Sequence, residues 1–380
     1  MRTAGRQGRT TGARARACAI LALVGGCGGA GAAGGGQSLD AATSGGSLDA
    51  GAPGDGAGSA PVDVADALTP EAGAAHGTSA SLRFIGDAYT LYASVGGGSP
   101  HVVQLDTGSI GLYVPASILG PGAQVSTTET CSITYVSSGN TLSGHAATAT
   151  VALLGSTRSG DVSPAPTTVP MPLCAVDDAA FKGGMMGVGF GRGATPDPAR
   201  NVLLRLADVA SGAMHAGYIL SAHPSPSVRV GLTAEAVAGF ATLPLTPHPA
   251  VPGDWLSTSL RGCLTLPGHG AFAEACGPLL VDTGIADCLL WGPSDPTLGG
   301  VIPAGQTAVP GGVSLRIAAP SGGATLDYAF VVGAGSDSPA AVKVRTAAAF
   351  SINTGRALLI DDDYLFDAVA GRVGFRRASP

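Results

Sequence analysis

The stretch VVQLDTGSIGLYVP, residues 102–115, contains an Asp-Thr-Gly tripeptide that directly follows a largely apolar run. A second stretch, LLVDTGIADCLLWGP at residues 279–293, repeats this arrangement, and in both copies a further apolar run ending in proline follows. Chance predicts about 0.3 copies of the tripeptide in a chain of this composition. Two copies in matching contexts therefore indicate diverged repeats of one structural unit, with Asp106 and Asp282 as a candidate functional pair.

Two neighbouring aspartates can hydrolyse an amide bond without a metal ion. The ionised carboxylate takes a proton from water, while the protonated carboxyl group donates one to the carbonyl oxygen. At hydrogen-bonding distance the two groups resist ionising together and hold one proton between them. Each catalytic aspartate, Asp106 and Asp282, must then lie on a tight loop, where threonine can brace the backbone and glycine leaves room. The residues expected to support the two loops are Thr107, Gly108, Thr283 and Gly284.

Composition favours many short strands over long helices. The chain of 380 residues contains 60 Gly and 27 Pro, and only 12% of its residues are charged. Alternating apolar residues predict strands at 82–97, 101–108, 147–155, 183–191, 228–232, 254–260, 313–319 and 328–335. PDPARNVLLRLADVASG, residues 196–212, has helical spacing and predicts one helix. The segment HPSPS at 223–227 suggests a division into an N-terminal β lobe, 81–225, and a C-terminal β lobe, 226–380.

These motifs resemble the pepsin-like aspartic peptidases over most of residues 82–377. LDTGSIGLYVP resembles the first active-site loop of that family, which makes Ser109 the hydroxyl partner of Asp106, and VDTG at 281–284 resembles the second loop. SITYVSSGNTLSG, residues 132–144, is similar to the β-hairpin flap and places Tyr135 at the flap tyrosine. Tyr113 then occupies the position of the aromatic residue that braces this tyrosine.

Two further segments extend the resemblance to the end of the chain. FKGGMMGVGFG, residues 181–191, resembles the segment that supports the first aspartate loop, and residues 352–375 resemble the closing motif. The resemblance implies a mostly β, bilobal acid-protease fold with few short helices and a cleft between two similar lobes. It also implies a monomeric aspartic endopeptidase that acts on polypeptide and needs no cofactor or metal.

Three departures from the family pattern leave other functions open. Ile285 stands where the second loop normally offers a hydroxyl, Val136 replaces the glycine after the flap tyrosine, and INTG at 352–355 is a polar version of the second supporting segment. One alternative is therefore an inactive protein of the same fold that binds peptide or another envelope ligand. Another is a glycosidase, whose two carboxylates would need a separation of at least ~5 Å.

The N-terminus predicts export and lipidation. An arginine-rich start leads into the apolar run CAILALV, which is too short to span a bilayer, and LVGGC resembles a bacterial lipobox. Residues 1–26 would then be a signal peptide, and Cys27 would carry the lipid that anchors the protein in the bacterial outer membrane, facing the periplasm or the cell surface. The alternative is an ordinary secretory signal. Residues 27–80, which contain no aromatic residue, Lys or Arg, would form a flexible tether.

The charge and the cysteine content limit which binding partners, metal sites and disulfides the sequence predicts. After Cys27 the chain carries 15 basic and 26 acidic residues, a formal charge of −11, which argues against nucleic-acid binding. Export permits disulfides, and no C-x-x-C pair or histidine cluster suggests a metal site. We expect Cys263–Cys276 as a hairpin disulfide and Cys131–Cys174 as a second one, with Cys288 left over.

Overall fold

The structure, a computed structural model, describes residues 62–63, 78–193, 196–222, 225–320 and 322–378. The predicted signal peptide, Cys27 and most of the predicted tether lie outside the described residues. Within those ranges no helix has the length and apolar character needed to cross a membrane.

The described residues are mostly in short strands that turns and loops connect. The strands are β1 Val62–Asp63, β2 Ala80–Arg83, β3 Thr90–Val95, β4 His101–Asp106, β5 Ile110–Pro115, β6 Gln124–Thr134, β7 Thr141–Ala149, β8 Val151–Gly155, β9 Met171–Val176, β10 Gly184–Val188, β11 Gly217–Ser221, β12 Ser227–Val230, β13 Ala241–Pro244, β14 Arg261–Thr265, β15 Ala275–Leu280, β16 Cys288–Trp291, β17 Ser314–Ala319, β18 Leu326–Val331, β19 Val342–Arg345, β20 Ser351–Asn353, β21 Asp362–Asp367 and β22 Arg372–Arg377. The helices are α1 Ala207–Ala210 and α2 Ala234–Val237, with 3₁₀ turns at Gly86–Ala88, Ala116–Ile118, Pro198–Arg200, Leu203–Arg205, Ser257–Ser259 and Ala357–Ile360.

Two of the three sheets that the described residues form repeat one arrangement around an Asp-Thr-Gly loop. The first sheet has the strand order β6-β7-β9-β5-β10-β4-β3-β8, and the second has β18-β17-β14-β15-β20-β16-β19. In the first, β10 lies parallel to β4 and antiparallel to β5, the two strands that flank Asp106. In the second, β20 lies parallel to β15 and antiparallel to β16, which flank Asp282. The sequence repeat therefore corresponds to a structural repeat.

The third sheet combines strands from both halves of the chain. Its order is β1-β13-β22-β21-β11-β12-β2. Its buried face packs against the strand that supports the first loop: Phe190 stacks on Phe366 with ring centroids 4.9 Å apart, and the Tyr218 hydroxyl donates to the Val188 carbonyl at 3.0 Å. β1 pairs with β13, so this dipeptide of the predicted tether adds to the sheet.

The prediction of one helix over residues 196–212 is wrong. Two 3₁₀ turns and the four-residue α1 occupy the segment. Asn201 interrupts the helix because its side-chain amide donates to the Val188 carbonyl at 2.8 Å and its Oδ1 accepts the Leu203 N–H at 3.1 Å. The Arg205 carbonyl accepts the Val169 N–H instead of a helical one. Side-chain and strand partners thus replace the helical hydrogen bonds.

The strand predicted for residues 254–260 is also wrong, since the segment contains the 3₁₀ turn Ser257–Ser259. The buried Asp254 carboxylate accepts the backbone N–H of Gly191 at 3.1 Å, and the Trp255 indole donates to the Ala368 carbonyl at 3.0 Å. These tertiary contacts make the segment a connector between the supporting segment of the first loop and the third sheet.

The cysteine pairing is confirmed. Cys131–Cys174 joins β6 of the predicted flap to β9, and Cys263–Cys276 crosses the β14–β15 hairpin. Cys288 is a buried free cysteine at the start of β16. The first disulfide ties the base of the flap to the first sheet.

Candidate active site

The two Asp-Thr-Gly loops meet through crossed hydrogen bonds between their threonines. The N–H of Thr107 donates to Thr283 Oγ1 at 3.0 Å, and the N–H of Thr283 donates to Thr107 Oγ1 at 3.1 Å. Each hydroxyl in turn donates to a carbonyl before the opposite aspartate, Thr107 to Val281 at 2.6 Å and Thr283 to Leu105 at 2.7 Å. Both threonines are buried, where such bonds are stronger than in water. The loops are therefore held face to face.

The glycines of the loops permit close approach of the two aspartates. A Cβ atom at Gly108 would lie 2.5 Å from Asp282 Cγ, and one at Gly284 would lie 2.6 Å from Asp106 Oδ1. Because each glycine has no side chain, the carboxyl group of the opposite loop can occupy the space beside it. Any side chain at either position would push the pair apart.

Asp106 is buried and hydrogen-bonded at both carboxyl oxygens. Its Oδ1 accepts the Gly108 N–H at 2.7 Å, and its Oδ2 accepts the Ser109 hydroxyl at 2.5 Å. Burial and then the charge of Asp282 raise the pKa of Asp106 to about 7, and a side-chain hydrogen bond to Asp282 adds to the effect. The packing of each carboxyl group against the glycine of the opposite loop favours a pair that shares a proton over the wider separation, at least ~5 Å, of a glycosidase pair.

The second carboxyl oxygen of Asp282 accepts a hydrogen bond from a residue that the sequence did not predict. Its Oδ1 accepts the Gly284 N–H at 2.9 Å, as the repeat predicts, but its Oδ2 accepts the side-chain amide of Asn353 at 2.6 Å. Ile285 is half-buried and offers only its backbone groups. Asn353, the polar residue of INTG, therefore supplies the donor that Ile285 lacks. The signal in the sequence was INTG, which places polar residues where the matching segment of the first half, GGMMGVG, is apolar.

The sequence did not identify two further polar residues near the loops, Gln104 and Arg192. Gln104 on β4 donates to the carbonyls of Thr283 and Gly284 at 3.2 Å, which adds a bond between the halves. Arg192 has a buried Nε with no hydrogen-bond partner among the described residues. Burial lowers the pKa of Arg192, whereas attraction to Asp282 and, more weakly, to Asp106 opposes this effect. A buried positive charge therefore acts on both aspartates.

The hairpin of β6 and β7 carries Tyr135 at its tip, where this side chain interacts with the charge of Asp106. At its tip, the Tyr135 N–H donates to the Asn140 carbonyl at 2.8 Å. The Tyr135 hydroxyl is buried and has no hydrogen-bond partner in the described part of the chain. Burial, the charge of Asp106 and the nearby Tyr113 raise the pKa of Tyr135 above its ordinary value. Tyr113 is itself buried, and its hydroxyl accepts a hydrogen bond from Arg200 at 3.0 Å.

An arginine of the second sheet holds the tip of the flap. Arg345 on β19 donates to the carbonyl of Val136 at 3.3 Å and to that of Ser137 at 2.9 Å. A cavity of about 360 Å³ lies beside this contact, and its lining includes Ile285 and the ion pair Asp287–Lys343. The flap is therefore bound to the opposite half beside the second aspartate loop.

One group of potential metal ligands is present among the described residues. Cys263, Glu274 and Cys276 lie close together. The two cysteines are joined in a disulfide, so their sulfurs are not free thiolates. The group therefore does not match the ligand set of a zinc site, which requires thiolate sulfur.

The sheets and the paired loops define a class of structure, the mostly β, bilobal, pepsin-like fold. The chain is similar to the crystal structure of an aspartic proteinase from Irpex lacteus, with a TM-score of 0.54 and 15% sequence identity over 80% of this chain and 98% of that one. This likeness confirms the predicted fold. No protein-family model and no curated protein matches the sequence.

Removing the guanidinium group of Arg345 should loosen the flap. We expect Arg345→Met to increase hydrogen exchange in residues 132–141 by about 3- to 10-fold, since two hydrogen bonds to the tip are lost. Hydrogen exchange with mass spectrometry measures this effect. Arg158→Met is the matched control, because Arg158 donates to the Pro100 carbonyl, outside the flap. Equal exchange in wild type and Arg345→Met would show that the contact does not hold the flap.

Proposed function

We propose that the protein is an aspartic endopeptidase that hydrolyses peptide bonds with a water molecule activated by Asp106 and Asp282. The observation that carries the proposal is that two buried carboxyl groups come together where the two loops meet, each against the glycine of the opposite loop. The raised pKa of Asp106 favours the state with one shared proton at acid pH. The similar structure from Irpex lacteus is described as an aspartic proteinase, which supports polypeptide as the substrate.

The pair has the groups that amide hydrolysis requires. The ionised carboxylate takes a proton from water, the water oxygen bonds to the carbonyl carbon, and the carbonyl oxygen takes the proton of the other carboxyl group. In the tetrahedral diol, one aspartate is now protonated and the other ionised. The first then protonates the leaving nitrogen as the C–N bond breaks, and the second recovers its proton from a diol hydroxyl. Tyr135, at the tip of the flap, would close over an extended peptide.

The main alternative is a catalytically inactive protein of this fold that binds peptide or another envelope ligand. Ile285 favours this alternative because it removes a hydroxyl from the second loop. Against it, Asn353 donates to Asp282 at 2.6 Å, and the Val136 side chain is 69% exposed and does not fill the site. The geometry therefore supports catalysis better than binding alone.

We also propose that the enzyme is exported and tethered to the outer membrane by a lipid on Cys27. The arginine-rich start, the apolar run and LVGGC support this proposal. The tether would let the folded part reach polypeptide near the membrane surface.

Replacing either aspartate should abolish cleavage. We expect Asp106→Asn and Asp282→Asn each to lower kcat/KM by at least about 1,000-fold, because the pair loses its base or its acid. Pepstatin-sensitive cleavage of a denatured protein between acid and neutral pH provides the assay, and circular dichroism confirms that each variant folds. Unchanged cleavage in both variants would rule out the mechanism. A folded wild-type protein without activity at any pH would favour the binding alternative.

The pH dependence should reflect the proton held by Asp106. Because the pKa of Asp106 is raised to about 7, the state with one proton persists at acid pH and is lost above about pH 7. We expect kcat/KM to fall on the alkaline side with a midpoint near pH 7. Ser109 donates to the carboxylate and lowers this pKa, so Ser109→Ala should move the midpoint upward by about one unit. A midpoint that moves downward would contradict this account.

Loss of Cys27 should release the protein from the membrane. In a Gram-negative host we expect the wild type in the membrane fraction and Cys27→Ser in a soluble fraction, because the variant has no acceptor for the lipid. Fractionation with mass analysis of the N-terminus measures both effects. Cys288→Ser, which alters a buried free cysteine, is the control and should stay membrane-bound. Wild-type protein in the soluble fraction would indicate an ordinary secretory signal.

A further inference from the structure

We propose that Asn353 decides which aspartate is ionised: its amide keeps Asp282 as the carboxylate that activates water and leaves the shared proton on Asp106. The inference deepens the proposed function and rests on it, because it assigns the base and the acid within the same pair. Asn353 acts through Asp282 and is therefore a positioning residue.

The orientation of the Asn353 amide follows from its two partners. Its Oδ1 accepts the Gly355 N–H at 2.9 Å, and its Nδ2 donates to Asp282 Oδ2 at 2.6 Å. The flipped amide would place its oxygen against a carboxylate oxygen and its NH₂ against an N–H, which loses both bonds. Asn353 is 2% exposed, so it has no competing solvent contact. Toward Asp282 it can therefore only donate.

The partner of Asp106 has different chemistry. The Ser109 hydroxyl lies 2.5 Å from Asp106 Oδ2, and a hydroxyl can donate to a carboxylate or accept from a protonated carboxyl group. Asp106 can therefore carry a proton on Oδ2 without losing this contact. At Asp282, by contrast, Asn353 faces Oδ2 and the Gly284 N–H faces Oδ1, and both are donors only. This set of partners favours the ionised form of Asp282.

The register of the supporting strands shows that the two halves place their side-chain donors at different positions. On β20, Asn353 pairs with Leu280, two residues before Asp282. On β10, Met185 pairs with Gln104, two residues before Asp106. The first half thus combines a loop hydroxyl with an apolar supporting residue, whereas the second half has Ile285 in the loop and the polar Asn353 on the strand. Each aspartate keeps one side-chain donor, but only the first donor can also accept.

The other charged and titratable groups near the pair support the same assignment. The attraction of Arg192 to Asp282 is stronger than its attraction to Asp106. Tyr218 and Tyr364 both interact with Arg192, Tyr218 also interacts with Asp106, and Tyr135 faces Asp106 from the flap. The positive charge therefore favours a carboxylate at Asp282, and the tyrosines, whose pKa values are raised, stay neutral.

The test removes the Asn353 donor and restores a donor from the loop. We expect Asn353→Ala and the closer-sized Asn353→Leu to lower kcat by about 10- to 100-fold with little change in KM. The acid limb of the pH profile should move upward by about one unit, because ionised Asp282 loses a donor that stabilises it. Ile285→Thr in the Asn353→Ala background should recover at least about tenfold in kcat and return the acid limb, since a hydroxyl at residue 285 replaces the lost donor.

Asn201→Ala controls for the loss of a buried asparagine. Asn201 also has both ends of its amide bonded, to the Val188 carbonyl and the Leu203 N–H, but it contacts neither aspartate. We expect this variant to lower the melting temperature and leave the acid limb unchanged. If the Asn353 variants keep the wild-type acid limb, or lose activity without recovery by Ile285→Thr, Asn353 has only a structural role and the inference is overturned.

A second measurement separates the inference from the proposed function. Carboxyl ¹³C shifts of labelled aspartate, assigned with Asp106→Asn and Asp282→Asn, follow each group through a pH titration without any substrate. We expect Asp106 to be protonated at a pH where Asp282 is ionised, and the Asp282 transition to move upward in Asn353→Ala. The reverse order of protonation would overturn the inference even in an active enzyme. A wild type without peptidase activity but with the expected order would refute the proposed function alone.

Discussion

The crossed hydrogen bonds between Thr107 and Thr283 are the interaction on which the site depends. Each threonine uses its N–H and its hydroxyl on the opposite loop, so buried polar groups that would otherwise be unsatisfied find partners only when both halves meet. The same contact places Gly108 against Asp282 and Gly284 against Asp106. The contact that satisfies the buried threonines therefore also brings the carboxyl pair together.

A second constraint follows from bringing two carboxyl groups together in a buried site. Both cannot ionise readily, so the protein must stabilise one charge and one proton. Ser109 and Asn353 satisfy this need unequally, because a hydroxyl can donate or accept whereas the amide NH₂ only donates. The loss of a hydroxyl at Ile285 is therefore compensated from the neighbouring strand, and the compensation makes the pair asymmetric.

Local sequence patterns predicted the features whose interacting residues belong to a sequence repeat or to one hairpin. The two Asp-Thr-Gly loops, the flap and the Cys263–Cys276 disulfide belong to this group. Prediction failed where distant contacts replaced local ones. At 196–212 the helical pattern was real, but Asn201 and the strand contact at Arg205 took the hydrogen bonds that a helix needs. At 254–260 the contacts of Asp254 and Trp255 replaced strand pairing.

The sequence by itself predicted the mostly β fold and singled out the two aspartates and the threonines and glycines of their loops, because duplicated motifs carry that information locally. Only the tertiary structure decided which donor serves Asp282 and what holds the flap. Asn353 and Asp282 are 71 positions apart, and Arg345 and Ser137 are 208 apart. Contacts over such distances depend on how strands and lobes pack together, and no spacing along the chain encodes that packing.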